Sequence, residues 1–316
     1  MTSTHRPLRL GTRASQLATT QSGTVAALVR ERLGREVELV HVTTEGDVNR
    51  ASLASMGGTG VFVSALRDAL LRGEVDLAVH SLKDLPTYPA DGIALPAIPE
   101  REDPRDAVVA RDGLTLGELP AGSRVGTGSP RRASQLEALG LGLEIVDLRG
   151  NVGTRIGKVA SGELDAVVLA RAGLARIGRA DEVTEVLDPL QMLPAPGQGA
   201  LAVECRSDDT DLVEALAALD DPRTRAAVTA ERAVLATLEA GCSAPLGALA
   251  EVAEGEDGDE LWVRAVALSP DGAVAVRRSA TGPVVDPARL GRTLAEEMLG
   301  EGAADLMEAP KRKQQA

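Results

Sequence analysis

Over roughly the first two hundred residues, short apolar runs rich in Val, Ile and Leu alternate with stretches whose apolar positions recur every three or four residues. That alternation predicts strands followed by helices, the pattern of a mostly parallel α/β sheet. The runs also repeat. Gly11-Thr12 followed by Arg13-Ala14-Ser15-Gln16-Leu17 is echoed by Gly126-Thr127 and then Arg132-Ala133-Ser134-Gln135-Leu136, each where a strand should give way to a helix. Glu38-Leu39-Val40-His41-Val42 is echoed by Glu144-Ile145-Val146-Asp147-Leu148, and Gly73-Glu74-Val75-Asp76-Leu77-Ala78-Val79 by Gly162-Glu163-Leu164-Asp165-Ala166-Val167-Val168. Three echoes in one order predict two copies of one doubly wound α/β domain.

The first copy is longer, and most of its excess falls between the second and third echoes. Residues 46 to 60 there are polar and glycine-rich, which predicts a mobile lid. Around Pro194-Ala195-Pro196-Gly197-Gln198-Gly199 the chain has the prolines and glycines of a crossover. The apolar strand Ala200-Leu201-Ala202-Val203-Glu204 should then return to the first domain. After Asp220-Asp221-Pro222 the pattern becomes a helix ending near Gly241, then strands near 246 to 252, 261 to 269 and 273 to 281, then a helix from about 286 to 299. The expected organisation is residues 1–100 with 200–219, residues 101–199, and a small α+β domain over 220–316. The basic tail Lys311-Arg312-Lys313 should be frayed.

Length supports several domains, because 316 residues exceed what one core usually organises. A net charge of -13 argues against nucleic acid as the main partner, so any anionic ligand needs a local arginine cluster. The two cysteines, Cys205 and Cys242, exclude a disulfide framework and fit a reducing compartment. No signal-peptide pattern and no apolar run long enough for a membrane span is found, so a cytoplasmic location is expected. His5, His41 and His80 share no metal-ligand spacing, and no nucleotide-binding glycine motif occurs.

The repeated strand-to-helix turns offer backbone N–H groups and a positive dipole end to carboxylate or phosphate groups. Arg13 with Ser15, and Ser129 with Arg131 and Arg132, add side-chain donors there. Arg149 and Arg155 flank the turn Arg149-Gly150-Asn151-Val152-Gly153, and Arg176 follows the last repeated strand. Arginines thus gather at the carboxyl ends of strands, the ligand edge of open α/β sheets, although any one of them could instead cap a helix or solvate the surface. Asp84, in His80-Ser81-Leu82-Lys83-Asp84-Leu85-Pro86, stands where a carboxylate could stabilise a developing cation, or could merely cap a helix. Cys242 lies on a Gly- and Pro-bounded stretch suited to presenting a thiol, whereas Cys205 ends an apolar strand and reads as inert. Phe62, the only phenylalanine, follows the glycine-rich stretch. It could cover a flat ring or serve as a helix core contact.

Together these segments resemble the porphobilinogen deaminase family. The resemblance runs from about residue 8 to 308. It rests on Gly11-Thr12-Arg13-x-Ser15, Ala78-Val79-His80-Ser81-x-Lys83-Asp84, Glu100-Arg101-Glu102-Asp103-Pro104-Arg105-Asp106-Ala107, Leu148-Arg149-Gly150-Asn151-Val152-x-Thr154-Arg155, Gly197-Gln198-Gly199 and Gly241-Cys242. It implies two similar periplasmic-binding-protein-like α/β domains plus a small α+β domain bearing the cysteine. It implies a transferase that deaminates porphobilinogen, joins four molecules head to tail on a covalent dipyrromethane primer, and releases hydroxymethylbilane by hydrolysis. By the same resemblance Cys242 carries the primer through a thioether and Asp84 is catalytic. Lys83, Thr127, Ser129, Arg131, Arg132 and Arg155 hold the primer, while Arg13, Ser15, Phe62, Ser81, Arg149 and Arg176 face substrate or the growing chain. A monomer is implied, with transient contact to a downstream uroporphyrinogen III synthase as a further expectation. The chain departs from the family pattern at Ser55 and Thr59, where lysines are common, and at Gly128 and Pro130 beside Ser129. A solute-binding module of two α/β lobes and a paralogue with altered product are the competing readings.

Overall fold

The computed structural model describes residues 6–42, 60–239, 244–255 and 258–307, with residues 60–62 described by backbone alone. In chain order the strands and α-helices are β1 (Leu8–Thr12), α1 (Gln16–Leu33), β2 (Val37–His41), α2 (Gly60–Leu71), β3 (Leu77–Ser81), β4 (Ile93–Ala97) and β5 (Asp106–Ala110). Then come β6 (Arg124–Thr127), α3 (Pro130–Ala138), β7 (Glu144–Asp147), α4 (Val152–Ala160), β8 (Ala166–Ala170), α5 (Arg171–Arg176) and β9 (Glu185–Val186). The chain continues through β10 (Leu201–Arg206), α6 (Thr210–Ala217), α7 (Pro222–Thr237), β11 (Leu246–Gly255), β12 (Gly258–Leu268), β13 (Ala275–Pro283), α8 (Pro287–Gly300) and α9 (Ala303–Met307). The expected lid over 46 to 60 lies outside the described residues except for Gly60, which opens α2.

Two compact units result, residues 1–102 with 200–225 and residues 103–199 with 226–316. In the first, the sheet order is β2-β1-β3-β10-β4; in the second it is β7-β6-β8-β5-β9. Both have the same plan. The first three strands are parallel, and the fourth, β10 or β5, runs antiparallel to both of its neighbours. Strand β10 is the predicted returning strand, pairing Leu201 with Ser81 and Val203 with Val79.

Alternation along the strands explains why helices cover both faces. In the first sheet Leu10, Leu77, Val79 and Val203 pack with Val25 and Val29 of α1 and Leu212 and Leu216 of α6. Ala78 turns the other way, beneath Leu66, Ala69 and Leu70 of α2. In the second, Val108 and Ala110 join Val125, Val168 and Leu136 of α3, while Ala107 and Val109 join Ile156 and Val159 of α4 and Leu174 of α5. Each sheet is therefore doubly wound.

The third sequence echo has a shared physical task. Gly73 and Gly162 take positive φ, 69° and 75°, as the chain turns into the strand. Three residues on, Asp76 accepts the N–H of Arg9 at 2.8 Å and Asp165 accepts that of Arg124 at 2.7 Å. The backbone N–H groups of the two aspartates donate back to the same arginines' carbonyls. One clamp thus fixes the start of the central strand in both units.

The last part is an antiparallel sheet, β11-β12-β13, close to the predicted strand positions. Its inner residues Leu246, Ala248, Ala250, Leu261 and Val263 pack on Ala230 and Val234 of α7 and Leu294 and Met298 of α8. Among the described residues no helix is long and apolar enough to cross a membrane.

Candidate active site

In the first unit the sequence-predicted residues collect at the carboxyl ends of β1 and β3. Ser15 is the N-cap of α1, its Oγ accepting the N–H of Ala18 at 3.3 Å. Ser81 ends β3 and accepts 2.9 Å from Gln21 Nε2, a buried α1 donor whose importance the sequence did not reveal. Lys83 and Asp84 follow in a short 3₁₀ turn, Leu82–Asp84. That turn is nailed down by Leu82 and Leu85, both buried, and by the Leu82 N–H donating to the Ala200 carbonyl at 3.0 Å. Asp84 closes the turn; Ser81 occupies its cap position, so the capping alternative for Asp84 does not apply.

Asp84 is half-buried. Desolvation pushes its carboxyl above the ordinary aspartate range, and Lys83, Arg13 and His80 pull against that rise. These residues thus form one electrostatic group. Phe62 falls in α2, but its side chain lies outside the described residues.

Behind this group is a buried ionic cluster. Arg67 binds Glu204 through Nε at 3.0 Å and Nη2 at 2.6 Å, and His80 Nε2 stands 3.2 Å from Glu204 Oε2. Burial works to raise the Glu204 pKa, yet His80 and Arg67 hold it down at about 2. Because this carboxyl is depressed when folded, its contribution is complete above the usual glutamate range and is lost as pH falls toward 2. Glu204→Gln should cost about 3 kcal/mol at neutral pH, because Arg67, only 14% exposed, is left without its charge partner. It should also flatten the acid side of the stability curve. Denaturant titrations at several pH values check both; a neutral-pH stability within 1 kcal/mol of the parent would reject this role.

The second unit gathers its residues at the ends of β6, β7 and β8. Thr127 ends β6, and its Oγ1 accepts the N–H of Ser129 at 3.2 Å. Ser129 occupies the N-cap position of α3 without a side-chain capping bond. Gly128 sits in close approach, since a Cβ added to this backbone would stand 2.4 Å from the Leu148 carbonyl oxygen, so the local backbone is fitted to the glycine that departs from the family pattern.

Arg131 and Arg132 occupy the first turn of α3 and are 4% and 6% exposed. Both engage Asp106, which is fully buried where β5 meets the end of β8. Arg131 Nη1 lies 2.8 Å from Asp106 Oδ2, and Arg132 Nη2 donates to Oδ1 at 2.7 Å. Burial opposes ionisation of Asp106, but Arg131 and Arg132 hold its pKa far below the carboxylate range. Arg131 also donates to the Leu193 carbonyl at 2.5 Å, yet its Nε is buried with no hydrogen-bond partner. Arg155, on α4, donates from Nε to the Gly150 carbonyl at 2.8 Å. Burial lowers its pKa, Arg132 adds to that, and Asp147 opposes it.

The other two arginines stand apart in their bonding. Arg149 is well exposed, 3.7 Å from Asp147. Arg176 donates to the Gly199 carbonyl at 2.6 Å. The sequence therefore located the arginine-rich edge but missed Asp106, although Asp106 stands inside one of the motifs that carried the resemblance. Gln198 was quoted in the same way without a role.

Cys205 is buried on β10, and burial foremost pushes its thiol up to about 11. Cys242 lies outside the described residues.

The chain is similar to known proteins over nearly its whole length. Residues 8–214 match the family model for "Porphobilinogen deaminase, dipyromethane cofactor binding domain", and residues 225–300 match "Porphobilinogen deaminase, C-terminal domain". The chain is 61% identical over 313 residues to porphobilinogen deaminase 1 of Streptomyces coelicolor, covering 96% of this chain and 98% of that one. It is 60% identical over 308 residues to porphobilinogen deaminase of Mycobacterium tuberculosis, covering 95% and 98%. Among solved structures, a periplasmic substrate-binding protein of an ABC transporter from Coxiella burnetii aligns at 15% identity and TM-score 0.43, over 69% of this chain and 93% of that one.

Proposed function

The chain belongs to the porphobilinogen deaminase family, and from that premise we propose how its own residues divide the work. The enzyme deaminates porphobilinogen in tetrapyrrole biosynthesis. Its product is the open-chain hydroxymethylbilane, and its cofactor is dipyrromethane. When bound, that cofactor supplies the free pyrrole α-carbon from which the chain grows.

The residues of the second unit fit a group bearing several carboxylates. Arg131 and Arg132 set two buried guanidiniums against one buried carboxylate, Arg131 Nε is an orphaned buried donor, and the half-buried Arg155 adds positive charge beside Arg132, opposed by Asp147. Such an excess of buried positive charge is costly unless an anion joins it. This surplus is the observation that carries the reading. Arg131, Arg132 and Arg155, with Thr127, Ser129 and Lys83, would hold the acetate and propionate groups, and Cys242 would supply the thioether sulfur.

Asp84 is assigned to the chemistry. The C–N bond of porphobilinogen's protonated aminomethyl side chain breaks, the nitrogen leaves as ammonia, and the retained methylene carbon becomes a cation delocalised into the pyrrole ring. A carboxylate near the pyrrole N–H becomes most favourable as that charge develops, and more so beside Leu82 and Leu85 than in water. Arg13, Ser15, Ser81, Arg149 and Arg176 are assigned to the substrate and growing-chain carboxylates, with Phe62 against a ring face.

The test is the pH dependence of ammonia release. Asp84 must be ionised, and its pKa is raised in the free enzyme, so the acid limb of kcat/KM should fall at a pH above the ordinary aspartate value of 3.8. A rate constant that stays flat down to about pH 4 would contradict the assignment.

Three sheets with separate apolar cores support a division into residues 1–100 with 200–219, 101–199 and 220–316. The free, buried Cys205 thiol supports a cytoplasmic location. A monomer that passes product to a uroporphyrinogen III synthase completes the proposal.

A further inference from the structure

Two arginines sharing one carboxylate need something to fix the plane of that carboxylate. Asp106 Oδ1 receives Arg132 Nε at 3.1 Å and Nη2 at 2.7 Å, while Oδ2 faces Arg131. Rotation of the carboxylate would therefore displace both guanidiniums together. A third donor prevents that rotation. Gln198 is 1% exposed, and its Nε2 reaches Asp106 Oδ1 at 2.8 Å and the Pro104 carbonyl at 2.7 Å.

Gln198 is itself held by its neighbours. The preceding Gly197 donates its N–H to Glu231 Oε2 at 2.6 Å, and the other oxygen of Glu231 accepts the N–H of Ala250 at 2.8 Å. Glu231 is completely buried on α7. Further back, Leu193 is bound through both backbone groups by Gln135, one turn beyond Arg131 on α3. The crossover segment is thus clamped before and behind the glutamine.

Resting on the assignment of Arg131 and Arg132 to the primer carboxylates, we propose that Gln198 is a positioning residue for primer capture: from a segment clamped by Glu231 it fixes Asp106, and through Asp106 it aims the two guanidiniums. The amide carries no charge, so its effect is on direction and leaves the electrostatic balance of the pair unchanged. Buried ionic groups are poor sources of stability but good at enforcing one arrangement. Here the arrangement is that of the anion-binding pair.

The test uses full-length protein produced unprimed in a host that cannot form porphobilinogen. The substrate is then added and the rate of mass gain per molecule is followed. Gln198→Met removes the amide donor at similar volume and should slow primer loading by about tenfold or more, with a native far-UV circular dichroism spectrum. Leu116→Ala, a core truncation elsewhere in the same unit, lowers stability without touching the pair and should load at the parent rate. Parent-rate loading of Gln198→Met would overturn the proposal, and so would equal slowing in Leu116→Ala, since loss of stability would then suffice. Arg132→Leu separates this inference from its premise. If Arg132→Leu loads normally, the arginine assignment itself fails; if it loads slowly while Gln198→Met loads normally, only the role of Gln198 is lost.

Discussion

Asp84→Asn should lower the turnover of primed enzyme by roughly a hundredfold to a thousandfold while leaving the fold and the primer in place. Asn keeps the size and hydrogen-bonding capacity of the side chain but not its charge. The transition state for ammonia loss carries more positive charge on the pyrrole than the ground state does, so the charge matters most at that step. The rise in the Asp84 pKa gives a second, opposite expectation for stability. Folding disfavours the ionised form of this side chain, so the neutral Asn should leave thermal stability equal or higher. Loss of activity together with unchanged or raised Tm is the signature of a group placed for chemistry. Near-normal ammonia release from a primed Asn variant would remove Asp84 from the mechanism.

The duplicated architecture was legible because the third echo records a local physical task shared by the two units. Gly73-x-x-Asp76 and Gly162-x-x-Asp165 encode a positive-φ turn and a carboxylate that clamps the neighbouring strand. The returning strand was legible as well, since an apolar run after the Pro- and Gly-rich crossover has few places to be buried except a sheet.

Partner identity was not legible. Arg131 and Arg132 read in the sequence as donors at a helix start, yet both are committed to Asp106, more than twenty positions earlier in the chain. Gln198 reaches the same carboxylate from farther still. Spacing arguments work within one helix or strand and cannot pair residues brought together only by the sheet order β8-β5. For the same reason no spacing pattern indicates that Glu204, on the returning strand, gathers Arg67 and His80.

The largest effect of all is expected at Cys242. Covalent attachment needs a reachable thiolate, and the two cysteines differ sharply in what they can offer. Cys205 is sealed in β10 with its thiol pushed up to about 11, so almost none of it is ionised at neutral pH. Cys242 lies in Gly241-Cys242-Ser243-Ala244-Pro245, whose Gly and Pro suit an exposed turn. Cys242→Ser should therefore abolish both primer attachment and hydroxymethylbilane formation. Cys205→Ser should retain both, within a modest loss of stability. The most direct measurement is the intact mass of freshly purified protein, followed by mapping of the modified peptide. Added mass corresponding to one two-pyrrole unit on the Cys242 peptide, absent from Cys242→Ser, is the expected result; a fully active protein of unmodified mass, or modification on the Cys205 peptide, would contradict it.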